Sequence, residues 1–167
     1  MESAGAGRAQ TRQTVPVRVY LPATLDQLDH LGTAIAPGPA HAVTPALRTA
    51  LPDEDEEGWE YSALLAAADD SLALLAAHAD GPRLRVVVAA DVPDEVVTVP
   101  GDTDAVASAV RVVAAVPRQA IVSVHVDEPA AAPDVAAALG ADRAAAERVD
   151  ERELLWYDVT ELDHIPR

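Results

Sequence analysis

The sequence predicts an α+β fold: a mostly antiparallel sheet of four or five strands with helices on one face. Three observations predict it. Residues 17–21, Val-Arg-Val-Tyr-Leu, alternate apolar and polar side chains at the period of a half-buried strand. Between residues 59 and 78, Tyr61, Leu64, Leu65, Ala68, Leu72 and Leu75 recur at helical spacing. Two valine-rich segments, 108–116 and 121–127, flank Pro117-Arg118-Gln119 and read as a hairpin. The order strand, helices, strand, strand, strand, helix, strand suggests a ferredoxin-like split βαβ arrangement with an added strand.

Taken in order, residues 1–14 are small and polar, with no apolar core of a signal peptide, and are expected to be a disordered extension. Residues 15–162 are expected to form a single α+β domain, and 163–167 a C-terminal tail. Pro22 is expected to stop the first strand. Thr24 then caps a helix running to about residue 31, with Leu25, Leu28 and Leu31 on one face and Gly32 at its end. That helix start could hold an anion, but a capping role for Thr24 is the simpler reading. Ala36-Pro37-Gly38-Pro39 reads as a loop. Thr44-Pro45 opens a short helix with a capping threonine and a proline in its first turn. The acidic run 53–57 reads as a solvated loop leading into the negative first turn of the long helix. Gly81-Pro82 ends that helix, and residues 83–90 form a strand centred on Val86-Val87-Val88. A turn-rich connection over 91–104 holds a short strand near 96–99. Asp134 caps a helix that extends toward Val149 with Gly140 as a weak point, and residues 154–159 form the last strand.

Composition sets limits on function. The 167 residues are half apolar, but Phe is absent and aromatics make up 3%, so Leu, Val and Ala must build the core. All 12 basic residues are Arg against 28 acidic ones, giving a net charge of −16; Lys and Asn are absent. This pattern fits the coding bias of a GC-rich genome, an actinobacterium first, or the acidity of a halophile. The charge argues against binding nucleic acid or an anionic membrane, whose fields repel it. With no cysteine, disulfides, thiolate metal sites and cysteine nucleophiles are excluded. No apolar run approaches the length of a membrane span. A cytoplasmic protein without a cofactor is expected.

Sorting the strand residues by parity gives one apolar face, including Val17, Val19, Leu21, Val86, Val88, Val124 and Val126. The opposite face collects Arg18, Tyr20, Arg83, Arg85, Arg111, Ser123, His125 and Asp127. One reading of that face is a wet side of an antiparallel sheet. The functional reading is an uncovered surface for an anionic ligand, an acidic partner or a second copy of the chain, since guanidinium groups suit carboxylate and phosphate.

Searches for known chemistry return little. The five histidines, His30, His41, His78, His125 and His164, contain no i, i+4 pair and no HExxH, so no zinc site is expected. His30 and His78 fall near helix ends, where a cation is favoured. His125 with Asp127 on one strand face could bind a metal or move a proton. His41 is a loop anchor or a site member. There is no GxSxG, GxGxxG or phosphate-binding loop. Trp156 and Tyr157 lie on the last strand, so one ring faces the core and the other outward, where it could anchor a partner.

Four blocks, Val-Arg-Val-Tyr-Leu-Pro-Ala-Thr-Leu at 17–25, His-Ala-Val-Thr-Pro-Ala-Leu-Arg at 41–48, Arg-Val-Val-Val-Ala-Ala-Asp-Val-Pro at 85–93 and Glu-Leu-Leu-Trp-Tyr at 153–157, resemble an uncharacterised actinobacterial family of small cytoplasmic proteins. The resemblance spans residues 15–162 and implies no activity. The residues themselves favour a non-catalytic binding or regulatory module using the Arg/Tyr/His face. The alternatives are a small enzyme on an anionic substrate, with a histidine acid/base and arginine clamps, or an adaptor docking through Trp156/Tyr157 or the acidic run.

Overall fold

The computed structural model describes residues 15–77, 81–101 and 105–166. The expected extension at 1–14 and the role assigned to His78 lie outside these residues. In chain order the strands are β1 (Pro16–Ala23), β2 (Ala34–Ile35), β3 (Gly38–Ala42), β4 (Val86–Pro93), β5 (Val97–Thr98), β6 (Ala109–Val112), β7 (Val116–Pro117), β8 (Ile121–Val126) and β9 (Leu155–Asp158). The α-helices are α1 (Leu25–Asp29), α2 (Pro45–Ala50), α3 (Glu56–Ala77), α4 (Ala132–Leu139) and α5 (Arg143–Asp150).

The main sheet has seven strands, not four or five, in the order β5-β6-β3-β1-β4-β8-β9, and β2 pairs separately with β7. Every ladder among the described residues is antiparallel. A split βαβ unit keeps another strand between the two parallel strands its helix joins, so its neighbouring strands are antiparallel too; here β8 and β9, joined through α4 and α5, pair directly and antiparallel, and the ferredoxin-like expectation is not confirmed. The expected hairpin also fails. The segment 108–116 breaks after Val112, with β6 joining β3 and β5 while β7 leaves to pair with β2; β8 pairs with β4 and β9. The Pro-Arg-Gln connection is a 3₁₀ turn between β7 and β8, not the tip of a hairpin.

Both sheet faces are covered, contrary to the expectation of helices on one face. Val19, Leu21, Val86, Val88, Val124 and Val126 pack in one cluster with Leu25 and Leu28 of α1, Val135 of α4 and Val149 of α5. Across the sheet, Tyr20, Val87 and Ala89 pack with Leu47 of α2 and with Ala63, Ala67 and Ala68 of α3. The packed face of α3 keeps Ala68 and Leu75 of the stripe read from periodicity, with Leu64 and Leu72 partly buried against the core, but adds the small residues Ala63, Ala67 and Ser71 and leaves Tyr61 half exposed. Large side chains along the seam would hold the helix off the strands. The alanines let it close, and Ser71 exploits the approach: its buried hydroxyl donates to the Ala23 carbonyl at 2.7 Å and accepts from the Val86 N–H at 2.9 Å, bridging β1 and β4. At its other end α3 is tied to α2. Trp59 Nε1 donates to the Leu51 carbonyl at 2.9 Å, and the Arg48 guanidinium lies 4.2 Å from the centre of its ring.

Local chemistry explains the element ends. Thr24 caps α1 in a reciprocal capping box with Gln27, the plain role expected of it. Thr44 caps α2 by accepting from Leu47 N–H, with Pro45 in the first turn. Glu56 and Glu57 occupy the first turn of α3, as the acidic run suggested. The helix expected from Asp134 to Val149 is two helices. They part at Ala141, which takes a left-handed conformation at φ 66°, and Asp142 caps the second by accepting from Ala145 N–H.

Candidate functional site

The site grows from a split in the sheet. β1 and β3 pair only at Val19↔Ala42 and Tyr20↔His41. The same register would next bring Leu21 to Ala40 and Pro22 to Pro39. Two facing prolines supply no N–H to continue a ladder, and β3 stays with β6 over Gly38–His41 while β1 stays with β4 through Ala23. Pro22 thus separates β1 from β3 rather than stopping the strand. The stretch at 36–39, expected to be a loop, enters β3 at Gly38 because it pairs on its far side.

The split opens a cleft of about 640 Å³, within the range of small-molecule sites. Leu21, Ala23 and Val88 contribute from the sheet, and Leu28 and Leu31 from α1 and the turn after it. Ile35, held by the β2–β7 pair, closes another side, and Asp70, Ala73 and Leu74 of α3 line the remainder. The surface is mostly apolar. Its side-chain polar groups are Gln27, His30 and Asp70. His30 sits at the C-terminal end of α1 with Nδ1 2.8 Å from the Asp26 carbonyl; that contact and the Asp26 carboxylate raise its proton affinity.

Asp70 is positioned from behind. Its Oδ2 lies 3.0 Å from Nε2 of His41, and His41 Nδ1 lies 2.8 Å from the Ser108 hydroxyl. A carboxylate only accepts, which assigns the imidazole proton to Nε2; Nδ1 then accepts from the Ser108 hydroxyl. Serine, histidine and carboxylate are the parts of a hydrolytic triad, but the exposure is reversed. Ser108 is 1% exposed and His41 3%, while the Asp70 side chain is 50% exposed. A triad needs its serine open to substrate and its carboxylate buried. Here the carboxylate meets the cleft and the serine is sealed beneath it, so the chain of contacts orients Asp70.

The sheet face expected to be open is covered at its centre, and its arginines do not converge. α3 covers its centre, leaving Tyr20 5% exposed and its hydroxyl proton affinity pushed up to about 12, by burial first and then by Glu60. The arginines go to separate partners. Arg18 forms a two-pronged pair with Asp91 at 2.6 and 3.1 Å, Arg83 donates to the Leu75 carbonyl, and Arg111 is exposed on β6, near the opposite edge of the sheet. Arg85 and Asp127 extend the β4–β8 register by one pair and are buried together, their side chains 2% and 0% exposed. Asp127 accepts from the Arg85 backbone N–H, Nε and Nη2, so it is committed to Arg85 and not to His125. Ser123 is buried, with its hydroxyl 3.2 Å from His125 Nε2. Burial, then the charge of Arg18, lowers the proton affinity of His125. Trp156 is 58% exposed on the edge strand β9, while Tyr157 packs toward the core, the alternation expected of them. Among the described residues, no group of three or more His, Asp or Glu side chains is arranged to hold a metal ion.

The model of a family of unknown function, DUF6912, matches residues 17–165. The chain belongs to DUF6912. No curated protein and no solved structure matches it, so for this DUF6912 protein no relative supplies an activity. Among the described residues, no helix is long and apolar enough to cross a membrane.

Sequence reasoning missed Asp70 and Ser108. Asp70 lay off the leucine stripe of α3, and Ser108 looked like the start of a strand. His41 was the available signal: a histidine two residues before the Val43-Thr44-Pro45 helix start, on a segment that would have to be buried to hold it.

Proposed function

We propose that this DUF6912 protein is a non-catalytic module that binds a small, mainly apolar molecule in the cleft between β1 and β3. The observation that carries this reading is the coincidence of a cleft of about 640 Å³ with a single oriented carboxylate on its wall. Ligand sites are concave and apolar with a few fixed polar groups, and this cleft has that composition. The reading keeps the binding role expected from the sequence and moves it off the sheet face. The enzyme alternative required a histidine joined to arginine clamps in one pocket; among the described residues no arginine lines this cleft, and His41 contacts Asp70 of its wall. A cytoplasmic location and an actinobacterial source belong to the same proposal, the latter supported by the lysine-free, alanine-rich composition.

Titration with the neutral fluorophore N-phenyl-1-naphthylamine tests the reading. Saturable fluorescence enhancement is expected with the unmodified chain. Ala73→Trp, at an exposed helix position on the cleft wall, is expected to abolish it while leaving the circular dichroism spectrum and thermal transition unchanged. Absence of saturable binding, or equal binding by a folded Ala73→Trp variant, would contradict the reading.

A further inference from the structure

We infer that the ligand of this cleft is a small organic cation, an apolar body ending in a protonated amine that Asp70 receives. The inference rests on the cleft being the binding site and adds the chemistry of what enters it.

Three observations carry it. Among the described residues that line the cleft, Asp70 is the only carboxylate and none is an arginine. An anionic ligand would therefore meet the Asp70 charge with no arginine to offset it; the basic group among these lining residues is His30, which the Asp26 carbonyl and carboxylate already engage. Second, the carboxylate is pre-oriented. His41 holds Oδ2 from a buried position and Ser108 holds His41, so little side-chain freedom remains to be lost when a donor arrives. The apolar lining weakens competition from water, which strengthens a charge-assisted hydrogen bond.

Third, the chain as a whole is strongly acidic. Asp69, next to Asp70, has its proton affinity raised first by the partial covering of its carboxyl and then by Asp150, while Arg85 opposes the rise ahead of the smaller contribution of Asp70. The whole chain carries −16, which draws cations toward clefts and repels anions. His30, the remaining ionisable group of the lining, stands at the exposed end of α1 with its Nδ1 on the Asp26 carbonyl.

Three probes of equal chain length separate the inference from the reading beneath it: octylamine, octanol and octanoate, each titrated calorimetrically at neutral pH below its aggregation concentration. Octylamine is expected to bind most tightly, octanol more weakly and octanoate least. Asp70→Asn keeps the side-chain shape and an oxygen for His41. It is expected to weaken octylamine by about tenfold or more, the ratio that loss of a charged hydrogen-bond partner implies, while octanol is unchanged. Octanol or octanoate binding as tightly as octylamine, with both lost in Ala73→Trp, would overturn the cation inference and keep the cleft. Octylamine binding unaffected by Asp70→Asn would overturn the inference as well. If none of the three binds, the inference and the cleft reading fall together.

Discussion

Asp127→Ala is expected to lower the unfolding free energy by about 3–5 kcal/mol, the range for removing one partner of a buried ion pair. Asp127 is fully buried and accepts hydrogen bonds from three nitrogens of Arg85, one of them the backbone N–H. Alanine at 127 would leave the guanidinium without its counter-charge in a place that water does not reach; Arg85 Nη2 would retain only the Arg152 carbonyl at 3.3 Å. The cost comes from the stranded charge more than from the lost contact. The double variant Arg85→Met/Asp127→Leu should therefore lose less than Asp127→Ala alone, although the Arg85-position N–H then lacks its acceptor. Urea denaturation of both variants measures this. A loss of less than about 1 kcal/mol for Asp127→Ala, at an unchanged denaturant slope, would contradict the account of the pair.

The second large effect belongs to the seam between α3 and the sheet. Ala67→Leu is expected to destabilise by about 1–3 kcal/mol through overpacking. Ala63, Ala67 and Ala68 are fully buried against Tyr20, Val87 and Ala89. A larger side chain there must push α3 outward or distort the strands, and either motion strains the Ser71 bridge to Ala23 and Val86. Tyr61→Ala provides the contrast. Tyr61 belongs to the stripe that periodicity marks as buried, yet it is half exposed, and its removal should change stability by no more than about 0.5 kcal/mol. Equal losses for the two variants, read from thermal melts, would contradict this packing of α3.

These two sites show how far the sequence could be read. Alternation along residues 17–21 and 123–126 separates the apolar face from the polar one, because a period of two survives whatever the strand order; it breaks at Ile121, where a register shift against Ala90 turns that side chain into the apolar core. Pairing is another matter. Arg85 and Asp127 share a parity class, but only the β4–β8 register places them opposite each other, and 42 residues of chain separate them. The helical stripe of α3 is legible in part: Ala68 and Leu75 are buried as it marks them, but it misses Ala63 and Ala67 because hydrophobicity ranks Leu above Ala, whereas close approach to a sheet ranks side chains by size. The candidate site was the least legible part. It arises where β1 and β3 part beyond the Tyr20↔His41 pair, with Pro22 and Pro39 both lining the gap, and its carboxylate contacts His41, which contacts Ser108, from two other segments of the chain. The proposed cation also departs from the anion that the parity-sorted arginines suggested, and accords with a chain of 28 acidic and 12 basic residues.

Amide chemical-shift mapping of the full chain during titration with octylamine tests the central claim most directly. The account predicts saturable shifts concentrated in residues 27–31, 34–38 and 70–74, the three segments that meet at the cleft. Shifts centred instead on His125, Leu155 and Trp156 at the β8–β9 end of the sheet, or no saturable shifts at all, would contradict it.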